Sequence, residues 1–189
     1  EANYPTEPYR MLIGHSFGGL TAMDALVNHT DLFNSYVSID PSMWWSDQQL
    51  LNEIKAMPNR GKYKNKSLFI GVANTMNEGM DTLQVQKDTT KGTEHIRTIL
   101  DVSKHLVSHP NGLNFEYQYY PNDDHGSVHL IAEYDALRYI FKNYQFKLGP
   151  TDFLNPSADL VTRIKTHYTK LTNNFGYTIS PPEDLVNQM

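Results

Sequence analysis

The stretch that decides the fold of this chain reads Tyr9-Arg10-Met11-Leu12-Ile13-Gly14-His15-Ser16-Phe17-Gly18-Gly19. It begins as a short apolar run, which is typical of a buried strand, and it continues into a helical pattern. The five residues between them form a G-x-S-x-G motif, in which the serine occupies a sharp turn between strand and helix. Side chains at positions 14 and 18 would crowd such a turn, and glycine removes the crowding. The stretch therefore predicts that Ser16 is a nucleophile, presented at the end of a strand.

Composition limits what the protein can be. The chain has 189 residues, 39% hydrophobic and 20% charged, which indicates one soluble globular domain with a sizeable core. A net charge of -5 argues against nucleic acid as a partner, and no apolar run is long enough to span a membrane. The absence of cysteine excludes disulfides, thiolate catalysis and cysteine-based zinc sites. The absence of cysteine does not indicate in which compartment the protein is located.

Strand and helix patterns alternate along the first 146 residues. Strands are predicted at 9–13, 35–39, 67–73 and 113–120, and helices at 17–29, 47–57, 88–106 and 129–144, with Pro58-Asn59-Arg60-Gly61 ending the second helix. This alternation predicts an α/β fold with a mostly parallel sheet and flanking helices. Residues 147–189 change in character and predict a helical tail, with a loop at 148–158, a helix at 159–171 and a further helix capped near residue 183 and continuing past Met189.

Parallel sheets bind their ligands at the carboxyl ends of the strands. Ser16, Trp44, Trp45, Asp88 and His125 all follow the ends of predicted strands, so we expect them to lie near one another. Two adjacent tryptophans on a loop do not easily both point into a core. Trp44 and Trp45 are therefore predicted to line a substrate pocket.

A serine nucleophile needs a base, and the base needs a carboxylate that orients it. Of eight histidines, His125 lies in the loop after the last strand, where a base is expected. His15, inside the motif, is predicted to flank the pocket without accepting the serine proton. His125 and His129 form H-x-x-x-H, but no carboxylate within it provides a general base, so no metal is predicted. The remaining histidines lie in or beside helices and are expected to be solvated: His29, His95, His105, His109 and His167.

The acid is less clearly marked than the base. Carboxylates at Glu78, Asp81, Asp88 and Glu94 follow the third strand closely enough to orient a histidine. Asp88 also fits the cap of the helix behind it, which alone would explain an aspartate there. The residues by themselves leave Asp88 and Asp81 as equal candidates, with Glu78 behind them.

Two further motifs carry a resemblance to a known family. The chain contains Ser38-Ile39-Asp40-Pro41-Ser42-Met43-Trp44-Trp45 and Tyr119-Tyr120-Pro121 followed by His125-Gly126-Ser127. With the serine motif, they make residues 5–146 resemble the esterase D family of α/β-hydrolases, which includes enterobactin esterases, feruloyl esterases and mycolyltransferases. In the enterobactin esterases the acid opens the helix before the last strand. The resemblance therefore implies Asp88 as the acid.

The resemblance also implies that part of the fold precedes residue 9. An α/β-hydrolase places the serine strand in mid-sheet, so here that strand would be an exposed apolar edge, which favours aggregation. The backbone N–H of Phe17 is one expected oxyanion donor, whereas the second comes from a loop after the third strand of the whole fold. We therefore expect a missing N-terminal segment, or a second copy of the chain, to complete the domain.

The predicted activity is that of a serine esterase acting on a small-molecule ester through an acyl-enzyme on Ser16, without a cofactor. Two alternatives stay open. An acyltransferase would use the same catalytic residues with an alcohol as acceptor, and a non-catalytic, hydrolase-like scaffold would only bind its ligand.

Overall fold

Two compact units make up the chain. The computed structural model describes residues 4, 6–56, 61–154 and 159–187. One unit consists of residues 10–140, and the other consists of residues 1–9 and 141–189. The boundary expected from the sequence, after residue 146, falls a few residues beyond this division. The first nine residues group with the C-terminal unit rather than with the sheet.

The larger unit alternates strands and helices. Its elements are β1 (Met11–His15), α1 (Phe17–Asn28), β2 (Ser35–Ile39), α2 (Trp45–Ala56), β3 (Ser67–Ala73), α3 (Thr82–Val85), α4 (Glu94–Ser108), β4 (Asn114–Tyr120) and α5 (Val128–Ile140). Each predicted strand is present within about two residues of its expected bounds. The expected helix end at residues 58–60 lies outside the described residues.

The structure adds two local features that the sequence did not indicate. α3 is a single turn in a stretch expected to be loop, and four residues are too few to show a helical period. Its N-terminus is closed by a capping box between Asp81 and Gln84. At the beginning of α2, Ser46, Asp47 and Gln48 have φ of 51°, 52° and 63°, so the right-handed helix begins only after them.

The four strands form one parallel sheet in the order β1-β2-β3-β4. The fold is therefore α/β of the hydrolase type, as predicted. β1 lies at the edge of the described sheet, and Ile13 on it is 38% exposed. At the carboxyl end of β1, His15 pairs with Ile39 of β2, and Ile39 in turn pairs with Gly71 of β3. This register aligns the carboxyl ends of the strands.

Both faces of the sheet are covered, as expected for parallel strands. Leu68, Ile70 and Val72 of β3 pack into a cluster with α1, α2 and α4, whereas Phe69 and Ala73 pack into a second cluster with α5. α5 approaches closely, because a Cβ placed on Gly71 would lie 2.8 Å from the Cβ of Ala132. The packed faces make the strands a rigid support for the residues that follow them.

The smaller unit is helical. It contains α6 (Pro150–Leu154), α7 (Asp159–Phe175) and α8 (Glu183–Asn187), and its core is formed by Leu160, Ile164, Tyr168, Leu171, Phe175 and Leu185. α6 occupies part of the segment predicted as loop. α8 is described as far as Asn187, so the expected continuation past Met189 lies outside the described residues. α7 runs past the predicted end at residue 171 and stops before Gly176, whose φ of +79° ends the helix. None of the described helices is long and apolar enough to cross a membrane.

Candidate active site

Backbone hydrogen bonds continue beyond the strand ends and hold three polar residues together. The N–H of Ser16 donates to the carbonyl of Ile39 at 2.9 Å, and that of Asp40 donates to the carbonyl of Gly71 at 2.7 Å. Ser16 and Asp40 therefore follow neighbouring strands in register. His125 reaches the same edge from the loop after β4. In the sequence, His125 is 85 positions from Asp40 and 109 positions from Ser16.

The turn at Ser16 is tight and strained. Ser16 has φ of 57° and ψ of -117°, which a non-glycine residue rarely adopts. A Cβ on Gly14 would lie 2.0 Å from the carbonyl oxygen of Gly18, so glycine is required at position 14 as expected. The expectation for Gly18 was wrong, because a Cβ there meets nothing within 4 Å. The crowded second glycine is Gly19, where a Cβ would lie 3.0 Å from the carbonyl of Ile39.

His125 joins the serine to a carboxylate. Its Nδ1 lies 2.6 Å from Oδ2 of Asp40, and its Nε2 lies 3.2 Å from Oγ of Ser16. An ionised carboxylate only accepts hydrogen bonds, so the proton of the neutral imidazole is on Nδ1. Nε2 is then the acceptor for the Ser16 hydroxyl. Ser42, whose Oγ lies 3.4 Å from that of Ser16, is the neighbouring hydroxyl.

Asp40 is a fully buried carboxylate with three donors. Oδ2 accepts from His125 and from Nε2 of His95 at 2.8 Å, and Oδ1 accepts from the N–H of Ala73 at 3.0 Å. Burial by itself raises the pKa of this carboxyl. The hydrogen bonds and charge of His95, with the bonds from His125 and Ala73, outweigh burial and hold the pKa of Asp40 below its ordinary value. Asp40 is therefore an anion wherever His125 acts as a base.

Among the described contacts, no hydrogen bond joins His125 to Asp88, the residue that the resemblance implied as the acid. Its carboxylate accepts hydrogen bonds from the hydroxyls of Thr90 and Thr93, both at 2.6 Å, and from the N–H of Thr89. The bond from Thr90, followed by that from Thr93, lowers the pKa of Asp88 to about 2. Asp88 thus closes the turn before α4, and in this structure the carboxylate on His125 belongs to Asp40.

Of the other three carboxylate candidates, two have local partners and the third is exposed. Asp81 accepts from the N–H groups of Leu83 and Gln84 as the cap of α3. Glu78 is exposed in the loop before α3, and Glu94 accepts from Lys91 at 2.9 Å. The signal that would have found Asp40 was its position directly after a buried strand. The sequence analysis expected the acid after the third strand, and Asp40 precedes that strand.

His15 lies beside the base rather than in contact with the serine proton. Its Nε2 donates to the carbonyl of His125 at 2.8 Å, and its ring centroid is 4.5 Å from that of His125 and 5.7 Å from that of His129. Burial, followed by the charge of His125, lowers the pKa of His15. A neutral His15 therefore supports the loop that carries the base.

His95 contradicts the expectation that helical histidines are solvated. Its side chain is 21% exposed and bonds the buried carboxylate of Asp40. The residue is the second of α4, whose first turn reaches the carboxyl edge of the sheet. No sequence signal pointed to this contact, because Asp40 and His95 are 55 residues apart.

Three aromatic rings form a cluster around Phe17, the residue that follows Ser16. Phe17 makes edge-to-face contacts with Trp44 and Trp45, with centroids 6.1 and 5.1 Å apart, and the two tryptophans contact each other at 5.8 Å. Trp45 is 52% exposed, and Phe17 is 49% exposed. Phe17 is also the first residue of α1, so its N–H has no acceptor within the helix. The structure thus brings the two tryptophans to the residue that follows Ser16.

Asp40, His95 and His125 also form a group that could offer three ligand atoms to a metal ion, within 4.8 Å of one another. The two nitrogen–oxygen distances, 2.6 and 2.8 Å, are those of hydrogen bonds. Two ligands of a tetrahedral zinc ion at about 2.0–2.1 Å would lie about 3.3 Å apart. The geometry therefore fits shared protons better than a shared cation.

A parallel sheet with helices on both faces, and with serine, carboxylate and histidine at its carboxyl edge, defines an α/β-hydrolase. The model of the esterase family described as "Putative esterase" matches residues 1–107. The chain belongs to this esterase family. The matched range includes Ser16 and Asp40, and His125 lies beyond it.

Individual relatives agree with the family. Over 148 residues the chain is 28% identical to a siderophore triacetylfusarinine C esterase of Aspergillus fumigatus, covering 71% of this chain and 50% of the relative. An IroE-like serine hydrolase from Shewanella oneidensis superimposes with a TM-score of 0.72 and 28% identity, over 99% of this chain and 54% of that one.

A siderophore hydrolase, EstB from Aspergillus nidulans, superimposes with a TM-score of 0.52 and 23% identity, over 69% of this chain and 48% of that one. At this identity the likeness concerns the fold alone. The chain spans about half the length of the relatives it matches.

Proposed function

We propose that this chain carries the catalytic residues of a serine esterase, and that the reaction passes through an acyl-enzyme on Ser16. The observation that carries the proposal is the continuous hydrogen-bonded path from Ser16 through His125 to Asp40, with distances of 3.2 and 2.6 Å. Membership of an esterase family and relatives named as siderophore esterases support ester hydrolysis as the reaction.

In the proposed mechanism, Oγ of Ser16 attacks the ester carbonyl while Nε2 of His125 takes the hydroxyl proton. Asp40 keeps the proton of His125 on Nδ1 and stabilises the imidazolium that forms. The backbone N–H of Phe17 donates to the oxyanion. His125 then returns its proton to the departing alcohol, which leaves an acyl group on Ser16. Water attacks this acyl group by the same steps in reverse, releasing the acid.

Turn geometry supports Ser16 as the nucleophile of an elbow. Strain at this residue is retained because Gly14 and Gly19 let the chain pass close to itself and to β2. The hydroxyl is thereby held at the start of α1, next to the free N–H of the first helical residue. A serine in an ordinary loop would not need this backbone conformation.

A fluorophosphonate probe tests the proposal directly. We expect it to label wild-type full-length protein on Ser16, because the probe reacts with a serine activated by a base. Ser16→Ala should abolish labelling. Ser42→Ala is the matched control, since its hydroxyl is 3.4 Å from that of Ser16 and lacks a histidine partner in the described contacts. Mass spectrometry of the labelled peptide identifies the site, and label that persists in Ser16→Ala would refute the assignment.

The aromatic rings suggest the kind of ester that is bound. We propose that Phe17, Trp44 and Trp45 form a platform for a planar group of the substrate, because the tryptophans contact the residue that follows Ser16 and two of the three rings are half exposed. Feruloyl esters carry such a group, whereas short-chain esters such as acetyl esters lack it.

Trp45→Ala is expected to raise KM for aryl esters by about 2–10-fold, the contribution of one aromatic contact. Acetyl esters of the same alcohol should show unchanged KM, and Trp45→Phe should retain most of the aryl-ester affinity. The side chain is half exposed, so its removal should leave folding intact. Equal losses for aryl and acetyl esters, measured by steady-state kinetics, would argue against the platform.

A further inference from the structure

A second histidine bonds the carboxylate oxygen that orients the base. Oδ2 of Asp40 accepts from Nε2 of His95 at 2.8 Å as well as from Nδ1 of His125 at 2.6 Å. We propose that His95 is a positioning residue for ester hydrolysis, which acts through Asp40 and touches neither Ser16 nor the substrate. This inference rests on the proposed function, and it adds a residue from a separate helix to the site.

The placement of His95 is built into α4. Ile96 and Ile99 are fully buried in the core beneath the sheet and anchor the first turns of the helix. The turn before the helix is closed by Asp88, which accepts from Thr93, and Thr93 in turn accepts from Arg97 at 3.1 Å. The backbone that presents His95 is thus held from both sides. This arrangement gives Asp88 a structural role in the same site.

Hydrogen-bond capacity explains what His95 contributes. A carboxylate oxygen has two lone pairs, and Oδ2 of Asp40 directs one to each imidazole. Oδ1 accepts from Ala73 on a third element. With three donors the carboxylate cannot rotate, so the ring of His125 is held in the plane that faces Ser16. Without His95, a fully buried anionic oxygen would lose a donor, which is unfavourable.

The ionisation of Asp40 depends on the same contact. Burial raises its pKa, and the hydrogen bond and charge of His95 are the largest opposing effects. Within the part of the chain that the structure describes, the titratable groups that act on Asp40 are His95 on α4, His125 after β4 and His15 on β1. Removal of His95 should raise the pKa of Asp40. Because a protonated Asp40 has no negative charge with which to stabilise the imidazolium of His125, the acid limb of activity should lie at a higher pH than in wild type.

His95→Ala and His95→Gln in the full-length protein test the inference. For His95→Ala we expect kcat to fall about 10–100-fold, the usual effect of losing an outer-shell partner, with KM essentially unchanged. The acid limb of the profile of kcat/KM against pH should move to higher pH. Glutamine keeps an N–H donor near the position of Nε2, so His95→Gln should recover most of kcat and return the acid limb towards wild type.

His105→Ala is the matched control, because His105 lies on the same helix, stacks on His109 and is remote from Asp40 in its recorded contacts. It should behave as wild type. If His95→Ala shows wild-type activity and an unmoved acid limb, the inference about His95 is overturned and the proposed function is unaffected. Equal losses of kcat in His95→Ala and His95→Gln, with an unmoved acid limb, would also overturn the inference. Such losses would mean that His95 acts through packing alone. A wild-type protein that takes no fluorophosphonate label would overturn the proposed function and this inference with it.

Discussion

Replacing Ser16 by alanine in the full-length protein is expected to lower kcat for ester hydrolysis by about 10⁶-fold, and His125→Ala should lower it by a similar factor. The reason is that the hydroxyl and its base act as one unit. His125 bonds Ser16 at 3.2 Å, so either residue without the other contributes little to nucleophilic attack. The double variant Ser16→Ala, His125→Ala should therefore be no slower than either single variant.

Non-additivity is the outcome that identifies the mechanism. Steady-state rates of the three variants against an ester hydrolysed by wild type provide the measurement, with circular dichroism to show that each is folded. If the fold reduction in kcat of the double variant equals the product of the two single reductions, Ser16 and His125 act independently. That result would contradict a serine–histidine mechanism even if both residues proved important.

Asp40→Asn should have the next largest effect, a fall in kcat of about 10⁴-fold. The amide cannot replace the anion that holds the Nδ1 proton, and one of its ends presents donors where His125 and His95 also donate. His125 would then tend to the tautomer with the proton on Nε2, which cannot accept from Ser16. Substrate binding does not use Asp40, so KM should change little.

Asp88→Asn is the matched comparison, because the resemblance favoured this residue as the acid. Its partners are threonines in the turn before α4, so we expect kcat within a few-fold of wild type. Measuring both variants with the same ester and at the same pH separates the two candidates. A large fall in kcat for Asp88→Asn with a near-normal Asp40→Asn would return the acid to position 88.

Much of the fold was accessible from the sequence. The alternating run at 35–39 and the apolar run at 67–73 predicted β2 and β3 with the bounds that the structure has, because short runs of this kind carry a strong local signal. Short elements such as α3 and α6 were missed since one turn shows no period. The left-handed residues at the beginning of α2 were also missed, because Ser46, Asp47 and Gln48 are not glycine.

Site residues divide in the same way. Ser16 and His125 were predicted because each lies in a recognisable local context: a turn between strand and helix, and a loop after the last strand. Trp44 and Trp45 were predicted from their place after the second strand. Asp40 also follows a strand end, but the acid was expected only after the third strand.

What the sequence by itself determined was the parallel α/β sheet, its carboxyl edge, and the serine and histidine that the structure brings together there. Only the tertiary structure decided that Asp40 is the carboxylate bonded to His125, and that His95 bonds the same carboxylate. The physical reason is register. Pairing of His15 with Ile39 puts Asp40 next to Ser16, and the packing of α4 brings a residue 55 positions away onto the same oxygen. Such contacts depend on how elements pack, and no local pattern encodes them.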